Sequence, residues 1–192
     1  MNTRTRRMLQ DALIAVLLSI ALSFINREVT PLPLAFSPLP LIWLGLRHGG
    51  ALSVLTAALA GVVIGAIQWR GFPIVDILLG NVLPLLGVGV CEFFARNTQR
   101  TLNNLRYTST YLNIFTASLL TLMIYYGIQW GLLPSIGIGT TLPISTLLLG
   151  LGVTWLILAG SLSLLAKSAP QLIIPRRSKY LPRRETSSLL ND

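Results

Sequence analysis

Asp76, Asn81, Tyr125, Tyr126, Gln129 and Trp130 are the residues of this chain whose types suit them to hold a small solute, and all six lie in otherwise apolar runs. Asp76 and Asn81 belong to "IVDILLGNVLPLLGVGVCEFFA", residues 74 to 95, and the other four to "MIYYGIQWGLLP". A carboxylate, two amides and several aromatic faces suit a flat, cationic or hydrogen-bonding ligand, through charge pairing and cation–π contact. Ionisable residues within or at the edge of an apolar span mark substrate paths by default. Asp76 has no basic residue three or four positions away, so its structural alternative is a pairing with Arg70 or Arg27 folded over from a loop. Asn81 follows Asp76 by five residues, about 140° around a straight helix, so the two share a cavity only if Gly80 and Pro84 bend that helix. Tyr125 and Gln129 are four apart, as are Tyr126 and Trp130. One of these pairs is expected to face lipid as part of an aromatic belt, and the other to look into the protein. Trp69, Glu28, Thr140 and Thr141 are expected near the same level.

The remaining polar groups read as structural. Glu92 stands four residues before Arg96, and Asp11 four after Arg7, the spacing of ion pairs on one helix face. Asp11 is expected in the first turn of its helix, where a negative charge suits the dipole. His48 and Cys91 are each single, which leaves no metal-ligand cluster and no internal disulfide. A lone histidine without a serine motif, and the absence of a His-Glu metalloprotease pattern or a phosphate-cradling glycine loop, leave no catalytic set. The chain is therefore read as a non-enzyme that needs no cofactor.

These residues must be positioned by membrane helices. Hydrophobic residues make up 53% of the chain and charged residues 11%, with a mean hydropathy of +0.69, too little polar surface to wrap a soluble globule. The expectation is an all-α integral membrane protein, since a span of about 20 apolar residues crosses the hydrocarbon core. Six spans are expected: Met8 to Ile25, Leu34 to Leu46, Ala51 to Gln68, Ile74 to Ala95, Tyr111 to Leu133 and Leu142 to Ala166. The first also has the outline of a cleaved signal peptide, but its apolar run continues through Phe24 and Ile25. The second carries Pro31, Pro33, Pro38 and Pro40 and is expected to enter irregularly, tucked against protein, becoming helical only after Pro40.

The net charge of +9 does not form a nucleic-acid-binding stripe, because the basic residues punctuate the apolar spans. With the N-terminus inside, nearly all Lys and Arg fall in cytoplasmic segments and only Arg27 and Arg70 fall outside. Both termini are thus expected to be cytoplasmic, in the cell membrane. Residues 1–166 form the expected membrane domain, and 167–192 a basic tail resting on anionic headgroups of the bilayer.

The run "DALIAVLLSIALSFINREVTPLPLAFSPLPLIWLGLRHGGALSVLTAALAGVVIGAI", residues 11 to 67, resembles the N-terminal half of the thiamine-specific S-components of energy-coupling-factor transporters. The resemblance lies in an alanine-rich first helix ending in "ALS", the arginine and glycine turn "LRHGG", and a glycine-rich third helix; it continues through "ILLGNVLPLLGVGVCEFFAR". It implies a six-helix fold, a vitamin site near the outer surface, and partners comprising a transmembrane coupling protein and two ATPases. Where that family holds its ligand with an acidic residue followed by tyrosine, this chain has Gly80 and Asn81, and the family's polar and aromatic motif is not recognisable in "YYGIQWGLLPSIGIGTTLPIS". Asp76, one turn earlier, is the expected substitute carboxylate. Another vitamin specificity and a membrane sensing or scaffold domain are the alternatives. Ala12, Ala15 and Ser19 form a strip of small side chains. Such a strip lets helices approach closely, within the protein or against a partner. By resemblance, Ala15 and Ser19 would dock the coupling protein.

Overall fold

The computed structural model describes residues 3–28, 32–68, 74–175, 178, 180 and 181, and among these every regular element is a helix. We number them α1 (Thr3–Glu28), α2 (Pro38–His48), α3 (Gly50–Ile67), α4 (Ile74–Asn103), α5 (Tyr107–Ser135), α6 (Ile144–Ser168) and α7 (Pro170–Ile173). Five of them, α1 and α3 to α6, are long and apolar enough to cross a bilayer. The sixth expected span is the 11-residue α2, which at 1.5 Å per residue reaches only about 16 Å, half the hydrocarbon thickness.

That short helix is the axis of the protein. Leu41, Ile42, Leu44 and Leu46 are fully buried, and α2 packs against α1, α3, α4 and α5. It begins at Pro38, three residues before the expected start at Leu41. Prolines 38 and 40 sit in the first turn, where backbone N–H groups have no intrahelical acceptor, so the missing donors cost nothing. Its last residue is His48, after which Gly49 at φ 96° turns the chain into α3, a conformation that favours glycine. The segment before α2 is irregular and held by protein, as its prolines require. Pro33 O accepts from the Tyr126 hydroxyl, Ala35 N donates to Thr154 Oγ1 at 3.3 Å, and Gly150 of α6 lies so close that a Cβ there would meet Pro33 O at 2.8 Å. Backbone polar groups at membrane depth are tolerated only when satisfied in this way.

Two of the long helices change winding. In α4, residues Leu78–Val82 form a π-helical segment, with Leu83 N–H bonded to Leu78 O five residues back. In α5 the π segment is Gly127–Leu132, with Leu133 N–H bonded to Ile128 O. A proline follows each, Pro84 and Pro134. Proline has no N–H to give the carbonyl four residues back and its ring collides with that carbonyl. Widening to an i−5 register just before the proline relieves both problems.

At the end of the bundle where α1 starts, Asp11 accepts from Arg47 Nε at 2.8 Å and hydrogen-bonds His48 Nε2 at 2.7 Å. This corrects two expectations. Asp11 lies in the third turn of α1, because the helix begins at Thr3, and its partners come from α2, not from Arg7. Glu92 reaches α3, its Oε2 lying 2.7 Å from where a Gly50 Cβ would be, at a helix N-terminus that favours negative charge. Residues beyond 166 also touch the bundle. Ile173, Ile174 and Leu181 are buried, Trp43 Nε1 donates to Leu172 O at 2.9 Å, Arg47 donates to Gln171 O at 2.7 Å, and Ser178 bonds Gln99. The first part of the expected tail is folded onto the bundle.

Ala15 and Ser19 are fully buried, and Ser19 Oγ donates to Ser37 O at 2.9 Å; Ala12 is half-buried. Within the chain this strip lets α1 sit against α2 and α3, and the outward face of α1 carries Leu9, Leu13 and Leu17.

Candidate functional site

The end of the bundle away from Asp11 holds a cavity in two connected chambers. The inner one, about 140 Å³, is lined by Ser23 of α1, Ser37 before α2, Ile64 and Gln68 of α3, Gly80, Asn81 and Leu85 of α4, and Tyr125 and Gln129 of α5. The outer one, about 500 Å³, shares Gln68, Gly80, Asn81 and Gln129 and adds Gly65, Asp76, Ile77 and the loop Gly137, Ile138 and Gly139.

The sequence that builds this cavity is the sequence that breaks the helices. Both π segments face it, one through Gly80 and Asn81, the other through Gln129. A π turn holds one residue more than an α turn, so residues five apart are brought toward one face. Asp76 and Asn81 thus line the same outer chamber despite their spacing. The bend expected from Gly80 and Pro84 takes the form of this change in winding. Gly61 and Gly65 of α3 then seat the segment: a Cβ on Gly61 would meet Val82 Cα at 2.7 Å, and one on Gly65 would meet Asn81 Nδ2 at 3.1 Å. Small residues four apart allow this backbone contact.

The expected aromatic belt is absent from Tyr125, Tyr126 and Trp130, because all three rings turn inward. Tyr126 is buried and Tyr125 and Trp130 pack against the core, with centroids 4.5 Å apart for Tyr126 and Trp130 and 6.1 Å for Tyr125 and Trp130. Of the six residues singled out, the structure brings Asp76, Asn81, Tyr125 and Gln129 to the cavity. Tyr126 is not among the residues lining these two chambers, and its hydroxyl is bonded with Pro33 O and with Thr154 Oγ1 at 2.9 Å. Trp130 lines neither chamber and backs the two tyrosines. Arg70 and Trp69 lie outside the described residues, as do the side chains of Arg27 and Glu28; Thr140 and Thr141 are exposed in the loop before α6.

Sequence reasoning missed Ser23, Ser37 and Gln68. Their signal was faint: two serines in apolar text and a glutamine where α3 ends. Ser37 is placed by its own neighbours, its carbonyl accepting from Ser19 and its side chain hydrogen-bonded with Tyr125. Among the described residues lining either chamber the one formal charge is Asp76, in the outer one. The arrangement is a mouth with one carboxylate leading to an interior of neutral hydrogen-bonding groups with an aromatic side chain, Tyr125. It can hold a small polar molecule that carries a positive charge at one end.

The family model described as "Thiamine transporter protein (Thia_YuaJ)" matches residues 8–133. The fold is similar to that of a solved structure of ThiT from Listeria monocytogenes, at a TM-score of 0.74 and 15% sequence identity, covering 91% of this chain and 100% of that one. No curated protein matches the chain.

Proposed function

The chain belongs to the thiamine transporter family, a family of membrane transport and not of catalysis, and we propose that it is the substrate-binding S-component of an energy-coupling-factor importer. In this reading it captures thiamine at the outer face of the cell membrane. A transmembrane coupling protein and two ATPase subunits then drive uptake, since the chain carries no nucleotide-binding motif of its own.

The observation that carries the reading is the cavity itself, where Asp76, the one carboxylate among the described lining residues, stands at the wide outer chamber. Thiamine is a permanent cation joined to a neutral ring, and a cation leaving water needs a counter-charge where it comes to rest. Asp76 supplies it, in place of the acidic residue that Gly80 replaces. The membrane domain of residues 1–166 provides the site, and the basic residues after it suit the anionic cytoplasmic leaflet.

Purification from a native membrane tests this in one step. Thiamine should bind the isolated subunit saturably in calorimetry, and two ATPases should co-elute from mild detergent. A chain that purifies folded, binds no thiamine and brings no ATPase is not an S-component for this vitamin.

A further inference from the structure

Gln129 has a side-chain oxygen shielded from solvent and without a hydrogen-bond partner among the described residues. The same residue lines both chambers. A buried amide acceptor left unmade costs stability, and a rotation of this side chain toward the cavity would let a ligand supply the partner. Two other polar groups of the inner chamber are already engaged. Ser23 Oγ donates to Ile20 O at 2.7 Å, and the Ser37 side chain is bonded with Tyr125.

Charge decides which end of a ligand goes inward. The described residues lining the inner chamber are all neutral, and a cation pressed in among them loses its hydration with no counter-charge from them in return. Left in the outer chamber it keeps Asp76. A neutral ring that carries N–H groups loses least on entering.

We propose that Gln129 is the specificity-determining residue of the inner chamber, its side-chain oxygen accepting a hydrogen bond from an amino group on a neutral heteroaromatic ring while the ligand's cationic part stays at Asp76. This rests on the thiamine reading above and specifies how the site tells its ligand from near relatives. Thiamine fits the requirement, since its exocyclic amine is on the uncharged pyrimidine and its charge on the thiazolium. The analogue with a ring carbonyl in place of that amine, oxythiamine, sets oxygen against oxygen. A site built around one hydrogen-bonding group rejects the analogue that lacks it far more strongly than a hydrophobic pocket rejects a change in size.

The experiment is a titration of the purified full-length protein with thiamine and with oxythiamine. The wild type should prefer thiamine by roughly 10- to 100-fold, the worth of one hydrogen bond against an unpaired acceptor. Gln129→Leu should bind thiamine more weakly and bring the ratio near one. Gln129→Asn, which keeps a neutral amide acceptor, should retain part of the preference for the amine and guards against a Leu variant that does not fold. Equal affinities in the wild type, or a ratio unmoved by Gln129→Leu, would overturn the assignment while leaving thiamine as the ligand. A wild type that binds neither compound sinks the functional reading, and this inference with it.

Discussion

Around Asp11, polar groups are bonded to one another; around Asn81 and Gln129, they are left open. At the first end, Asp11 takes Arg47 and His48 together, and Gln99, fully buried, donates to Leu46 O at 2.7 Å and Arg47 O at 2.8 Å and receives Ser178 on its other side. That glutamine closes the last turn of α2, whose carbonyls would otherwise lack donors. At the other end, α4 and α5 abandon α-helical winding, and Gln129 keeps an acceptor without a partner. Both ends hold a carboxylate and a glutamine side chain. What separates structure from function in this protein is therefore whether a polar group's partners come from the chain, and residue type alone does not tell.

The contrast is broken most forcefully at Asp11. Asp11→Ala strands the Arg47 guanidinium and His48 and should lower stability by about 3 kcal/mol, the cost of unpairing a largely buried charge, read as a lower unfolding temperature in detergent with thiamine affinity near wild type. A variant that loses affinity in step with stability would mean the two ends are not separate. Asp76→Asn should do the reverse: unfolding unchanged, thiamine affinity weaker by about 2 kcal/mol, the worth of a hydrogen bond to a charged group. Gly61→Ala is expected to touch both properties, because the added methyl strikes the π segment that carries Asn81; overpacking of this kind costs about 1.5 kcal/mol, and binding should fall with it. The smallest effect is expected for Tyr126→Phe, which frees Pro33 O and Thr154 Oγ1 and should cost about 1 kcal/mol of stability. Calorimetry on that variant sharpens the comparison, since loss of thiamine affinity beyond the stability change would return Tyr126 to the ligand.

The sequence also shows where legibility ends. Asp76, Asn81 and Gln129 stood out because a polar side chain in an apolar run is expensive unless it serves something. Ser37 and Gln68 did not, because a serine before a proline and a glutamine at a helix end are ordinary features of a chain turning. Tyr126 and Trp130 were legible as aromatic but not as buried: four-residue spacing puts them on one helix face without saying which way that face points, and the fold turns it inward. The strip of Ala15 and Ser19 announced close helix approach correctly and left the partner helix open.

By itself, then, the sequence determined that the chain lies in a membrane, since 53% hydrophobic residues arranged in long runs have no stable alternative in water. It determined the helix breaks as well, because Pro84 and Pro134 remove hydrogen bonds wherever the fold places them. Only the tertiary structure decided which polar groups close on each other, that α2 lies inside and the tail folds back, and that two widened turns, Leu78–Val82 and Gly127–Leu132, meet at one cavity. The physical reason is that spacing along one helix fixes the angle between side chains on that helix alone. The angle between helices is set by where small residues such as Gly61, Gly65 and Ala15 allow backbones to touch, and that is a property of pairs of surfaces.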